Sequence, residues 1–211
     1  MDNKQIYETA KKQSAIDLNC HTDDFDKDTN VIVYSGSSPD ARRYLELPFA
    51  CNLVSYGNNI VASVDRKYEK IVGDYIDKYK VEHCFETPNM HVINDAFSAH
   101  GLRVCFMAEY FLPDMDSLTA LPCPYETRVL EQRDFADLYN EKWSNALSEK
   151  RRELEVLGAG AYDGDTLVGL AACSADCDTM WQIGVDVLPE YRRQGIASAL
   201  TSLLALEIIK R

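Results

Sequence analysis

Ile183-Gly184-Val185-Asp186-Val187-Leu188-Pro189-Glu190-Tyr191-Arg192-Arg193-Gln194-Gly195-Ile196-Ala197 is the stretch whose reading decides the fold. Trp181 to Leu188 reads as a strand, stopped by Pro189, which has no N–H to donate to a ladder. From Gln194 to Arg211 the apolar positions Ile196, Ala199, Leu200, Leu203, Leu204 and Ile208 recur at helical spacing. Two arginines lie between strand and helix, and Gly195 and Ala197 open the helix. The first turn of a helix carries backbone N–H groups without intrahelical partners, and the helix dipole adds partial positive charge. Gly195 and Ala197 keep that turn free of bulk, so a pyrophosphate can approach the backbone. Arg192 and Arg193 supply charge at its edge. Strand, turn and helix together make an anion cradle.

Upstream, the pattern continues with Thr127 to Leu130 as a short strand, then a helix capped by Asp134 and running to about Ala146. A second helical stretch covers Glu149 to Leu154. Val156 to Tyr162 and Thr166 to Ser174 read as strands joined by Asp163-Gly164-Asp165, a hairpin signal. Before these, Pro113, Pro122 and Pro124 punctuate a polar stretch suited to a linker. The expected division is an N-terminal α/β domain over 1–112, a linker over 113–124 and a second domain over 125–211. The N-terminal part reads as a helix over 3–18, a helix start at Thr22 to Phe25, a strand at Val31 to Tyr34 and two strands between Leu53 and Val64. Helices over Tyr68 to Tyr79 and Met90 to Ala99 follow, then a strand over Val104 to Leu112.

The C-terminal segment resembles the GNAT acetyltransferases. That family's acyl-CoA signature, Arg/Gln-x-x-Gly-x-Gly/Ala, is filled by Arg192, Gly195 and Ala197, and its preceding Val-x-Val-x-Pro by Val185, Val187 and Pro189. The order strand, two helices, three strands, helix also follows the family. The resemblance implies an α/β (α+β, mixed-sheet) GNAT acyl-CoA N-acyltransferase fold, C-terminal and incomplete, preceded by a smaller α/β domain. It implies acetyl-CoA as acyl donor and direct transfer to a primary amine of a small molecule or peptide, with no cysteine nucleophile. The N–H groups of Arg193, Gln194, Gly195, Ile196 and Ala197 would hold the pyrophosphate, with Arg192 beside them. The backbone of Val185 to Val187 would pair with the pantetheine arm, and the Val185 N–H would polarise the thioester carbonyl. Some relatives carry a carboxylate early in this strand, where Trp181 stands here. Asp186 is the candidate catalytic base, and its other reading is a carboxylate that binds a cationic substrate or a neighbouring N–H. Glu155 is a weaker candidate base. The alternative function is a CoA- or acetyl-CoA-binding regulatory module without turnover.

Family members continue past this helix with further strands, whereas this sequence ends at Arg211. The strand ending at Leu188 would then keep an unpaired edge. Either the native chain is longer, or another segment or a second subunit, as in a homodimer, completes the fold. Glu86 to His91, the helix after it, Gly101 and the strand Val104 to Leu112 loosely echo a family segment. On that reading residues 1–112 are a degenerate related half, against the alternative of an unrelated α/β domain.

A net charge of −12 is shared between the halves, with 12 Lys and Arg against 19 Asp and Glu before residue 124 and 10 against 15 after it. Neither half carries the basic stripe that a nucleic-acid partner needs, whereas a negative field attracts a cationic small molecule or a basic peptide. No apolar run is long enough for a bilayer and the N-terminus lacks a secretory pattern, so the expected setting is the cytoplasm, with no membrane partner. Seven scattered cysteines read as reduced thiols, and Cys173 with Cys177 lacks the histidine partners of a zinc site. Asp24, Asp26, Asp28 and Asn30 alternate as in a calcium loop, but Thr29 and Ser35 stand where Gly and Glu belong. No metal is expected.

Overall fold

The computed structural model describes all residues, Met1 to Arg211. They divide into two units, one of residues 7–112 and one of residues 1–6 with 113–211. Helix α1 (Asn3–Leu18) and a 3₁₀ turn at Thr22–Asp26 lead into strands β1 (Val31–Tyr34), β2 (Cys51–Val54) and β3 (Val61–Val64). The strands pair in the order β1-β3-β2, with β1 parallel and β2 antiparallel to β3. Side chains alternate across a strand, so β3 serves two cores. Ala62 and Val64 pack with helices α2 (Glu69–Ile76) and α3 (Thr87–Ser98), against Val72, Tyr75, Ile76, Ile93 and Phe97. Val61 turns the other way, towards Ala15 and Leu18 of α1 and Phe25. The alternating acidic run is bonded within the unit: Asp24 accepts the His21 N–H and the Lys27 ammonium, and Asn30 bonds the backbone of Ile60 and Ile76.

In the second unit β4 (Glu126–Glu131), β5 (Glu155–Asp163), β6 (Thr166–Ser174) and β7 (Gln182–Val187) form an antiparallel sheet in sequence order. Helix α4 (Ile196–Ile209) covers one face, burying Ile196, Leu200 and Leu204 against Leu157, Ala159, Ala171 and Cys173. Residues 132–154 cover the other face and bury Phe135, Trp143, Ala146 and Leu147 against Leu130, Leu170 and Ala172. No helix is long and apolar enough to cross a membrane.

Three expected elements are absent. Residues 134–146 do not form an α-helix; they make 3₁₀ turns at Gln132–Phe135 and Glu141–Trp143. Asn140 caps the second turn by accepting the Lys142 N–H, a local bond that competes with helix. The N–H groups of Asn145 and Ala146, which a helix would bond to carbonyls four residues back, instead donate to Asp186. Glu149–Leu154 is likewise 3₁₀ rather than α-helical. Nor is Val104–Leu112 a strand. Its composition favours one, but a strand exists only within a ladder. This segment is held by side chains: Tyr110 bonds the Tyr44 hydroxyl at 2.9 Å and lies under Arg42, and Phe106 meets Phe49 edge-on.

Gly184 allows the closest approach between layers. A Cβ there would sit 1.9 Å from the main-chain oxygen of Asn145. Gly184→Ala must therefore lift residues 144–147 off β7, at a cost of about 1–3 kcal/mol. Thermal unfolding should show the loss, and an unchanged Tm would mean that this segment does not rest on the strand.

Glu155 begins β5 with its carboxyl buried; Oε1 accepts the Ser148 N–H at 2.9 Å and Oε2 has no partner. Burial raises its pKa above the ordinary 4.5, and the Ser148 bond and the Arg151 charge oppose that rise. The folded protein thus holds this proton to higher pH than the unfolded chain does. Stability from this group is full below the unfolded value and falls as pH rises from there through the folded value. Glu155→Gln, which keeps an acceptor for Ser148, should raise Tm relative to the parent at about pH 8 and not at about pH 4. Equal shifts at both would show that ionisation of Glu155 is not the cause.

Candidate functional site

Strand β7 has one ladder neighbour, β6. The Leu188 N–H donates to the Val168 carbonyl at 3.0 Å, and antiparallel ladders alternate bonded and non-bonded pairs. Counting back along the register, Asp186 and Gly184 turn their backbone groups towards β6. Val187 and Val185 therefore turn their N–H and C=O groups to the open edge. Side chains alternate as well: Val185 and Val187 pack on the α4 side, and Asp186 faces residues 145 and 146. The strand ends at a 3₁₀ turn, Pro189–Tyr191.

After that turn the backbone takes the left-handed conformation twice, at Arg193 (φ 63°) and at Gly195 (φ 82°). Gly195 is the N-cap of α4, so the helix opens two residues later than the apolar spacing places it, and no side chain caps it. The first intrahelical bond runs from the Ala199 N–H to the Gly195 carbonyl. The N–H groups of Ile196, Ala197 and Ser198 consequently have no helical partner. With glycine at the N-cap, the missing side-chain cap forgoes only about a few tenths of a kcal/mol. Burial of Ile196, Leu200 and Leu204, at about 1.5–3 kcal/mol apiece, outweighs that loss. Packing holds the helix in place while its N-terminus stays open to an anion.

A groove of about 420 Å³ joins these features. It is lined by Val185, Asp186 and Val187 of β7, by Tyr191, Arg192 and Arg193 of the turn, by Gly195, Ile196, Ala197 and Ser198 at the helix start, and by Asn145. Gln194 is the one expected binding residue outside the lining; its side chain accepts the Tyr125 hydroxyl at 3.1 Å. The Arg192 Nε–H donates to the Val187 carbonyl at 3.0 Å, which folds this side chain back on the strand end. Arg193 is exposed at the cradle. Tyr191 donates to Asp163 at 3.0 Å, a bond that raises the phenol pKa.

Asp186 lines the groove, but its carboxylate is already shared among three donors: Asn145 N–H at 2.8 Å, Asn145 Nδ2 at 2.7 Å and Ala146 N–H at 2.9 Å. Glu155 lies on β5, two strands from β7, and does not line the groove. Burial pushes the Cys173 thiol up to about 12, so it is no thiolate nucleophile at neutral pH. Sequence reasoning missed Asn145, Tyr191 and Ser198. Ser198 was reachable, because the helix start that exposes the Ala197 N–H exposes the next one too. Asn145, 41 positions from Asp186, carries no local signal.

These features fit a ligand with a phosphate group at one end and an extended amide-bearing arm. Residues 115–208 match the acetyltransferase (GNAT) family, whose members use acetyl-CoA and act on amines. No curated protein matches the chain. One solved structure, a GCN5-related N-acetyltransferase-like protein from Streptococcus suis 89/1591, is 23% identical, over 43% of this chain and 39% of that chain, with a TM-score of 0.37. That likeness spans about two-fifths of the other protein and is too limited to bear on activity. Residues 115–208 are therefore a domain of the acetyltransferase (GNAT) family.

Proposed function

We propose that this domain transfers an acetyl group from acetyl-CoA to a primary amine. The observation that carries the reading is the continuity of one groove from the outward-facing backbone of Val185 and Val187 to the uncapped start of α4. When bound, acetyl-CoA would supply an acyl thioester. The amine lone pair forms the new C–N bond as the C–S bond breaks; the sulfur leaves as CoA thiol, and the remaining proton of the original ammonium goes to solvent. The residues of this chain bind and orient. The N–H groups of Gly195, Ile196, Ala197 and Ser198 hold the pyrophosphate with Arg193, and Arg192 fixes the strand end. The Val185 N–H stabilises negative charge gathering on the thioester oxygen. The acidic chain favours a cationic acceptor.

One observation favours a second reading, CoA binding without turnover. Asp186, the carboxylate in the groove, is engaged by three N–H donors and is poorly placed to take a further proton.

Calorimetry on the full chain should detect CoA binding. Replacing Arg192 and Arg193 together by Ala should weaken it about ten-fold or more, because hydrogen bonds to charged groups contribute about 1.5–3 kcal/mol. No CoA binding by the folded protein would sink the proposal. Thiol release from acetyl-CoA in the presence of primary amines then separates the two readings, and binding without release from any amine decides for the second.

A further inference from the structure

Every residue lining the groove except Asn145 comes from the continuous stretch Val185 to Ser198. Asn145 arrives from the opposite layer and is seated on β7 at two points. Its main-chain oxygen occupies the space that a side chain at Gly184 would fill. Its N–H and its Nδ2 both donate to Asp186, one to each carboxylate oxygen. The contacts fix which way its amide faces. A carboxylate accepts and cannot donate, so the amide nitrogen must face Asp186 and the amide oxygen must face away. Asn145 is exposed, and its Oδ1 has no protein partner.

The direction of the groove says what that oxygen meets. Phosphates at the start of α4 and an arm along Val187 and Val185 place the far end of the ligand beside Gly184 and Asp186, the level of Asn145. Resting on the acyl-transfer reading above, we propose that Asn145 Oδ1 is the acceptor-binding atom of this site, taking a hydrogen bond from the N–H of a small cationic primary amine. Asp186 is then a positioning residue. It holds the Asn145 amide with its oxygen outward, and its charge, one residue behind the contact, favours an ammonium over a neutral acceptor. The ammonium proton that must leave before attack goes to water, to which this end of the groove is open.

The test is steady-state kinetics on the full chain with saturating acetyl-CoA, using a polyamine, an amino sugar and lysine methyl ester as acceptors. Asn145→Ala should raise the amine KM about ten-fold or more, the loss of one hydrogen bond to a charged group. CoA affinity by calorimetry should stay within about two-fold, because the cradle is untouched. Asp186→Asn sets two amide nitrogens against each other, so the Asn145 amide turns its nitrogen to the groove and KM should rise similarly. The reciprocal variant Asn145→Asp with Asp186→Asn restores an amide–carboxylate pair with an acceptor oxygen on the groove side. It should bring KM back towards the parent value even if Asn145→Ala folds poorly. An unchanged KM in a folded Asn145→Ala protein overturns the proposal, as does a reciprocal variant that regains Tm but not KM. A parent protein that binds CoA but acetylates none of the three amines overturns it as well. Asp186→Asn losing kcat at unchanged KM, without recovery in the reciprocal variant, would make Asp186 the base instead. Absence of CoA binding falls on the acyl-transfer reading; normal transfer with KM unmoved falls on Asn145 alone.

Discussion

Strand β7 is bonded on one side only, and the phase of that bonding sets the site. Because Leu188 bonds Val168, the alternation of an antiparallel ladder leaves the backbone groups of Val185 and Val187 facing outward. A shift of one residue would turn Gly184 and Asp186 to the edge and drive the valine side chains out of the α4 core. The apolar face therefore enforces the register, and the register presents the polar edge. Pro189 ends the ladder where the chain must leave the sheet, and the cradle follows within one turn.

The two faces of the sheet solve different problems. On the α4 face, apolar burial is strong enough to tolerate a helix whose N-terminus has no side-chain cap, and the uncapped N–H groups remain available to an anion. On the other face, Asp186 collects N–H groups that an α-helix over residues 134–146 would have satisfied internally. The 3₁₀ turns leave Phe135 and Trp143 buried against the sheet and put Asn145 in the groove. One carboxylate thus replaces part of a helix and shapes the site wall.

The strands of the second unit and helix α4 were legible because each has its own periodicity or turn chemistry, as in the Asp163-Gly164-Asp165 hairpin. The hairpin of β2 and β3 was legible for the same reason. Residues 104–112 misled because their composition is that of a strand, yet no sheet edge takes them. Residues 134–146 misled because helical spacing of apolar residues also serves a chain of 3₁₀ turns pressed on a sheet. In the cradle, the residue types were readable from Arg192 to Ala197, but the left-handed backbone at Arg193 was not, since arginine has no preference for it.

What the sequence determined by itself was local: an apolar strand, a proline stop, two arginines and a glycine at the head of an apolar helix. Those features place unpartnered N–H groups and positive charge together, because the first turn of a helix lacks intrahelical acceptors and its dipole favours an anion. Only the tertiary structure decided which backbone groups of β7 face outward, that Asp186 is held by three N–H donors, and that Asn145 lines the groove. Each of these depends on ladder phase or on contact between residues about forty positions apart. Such pairings are set by the packing of two layers on one sheet and leave no periodic trace in the chain.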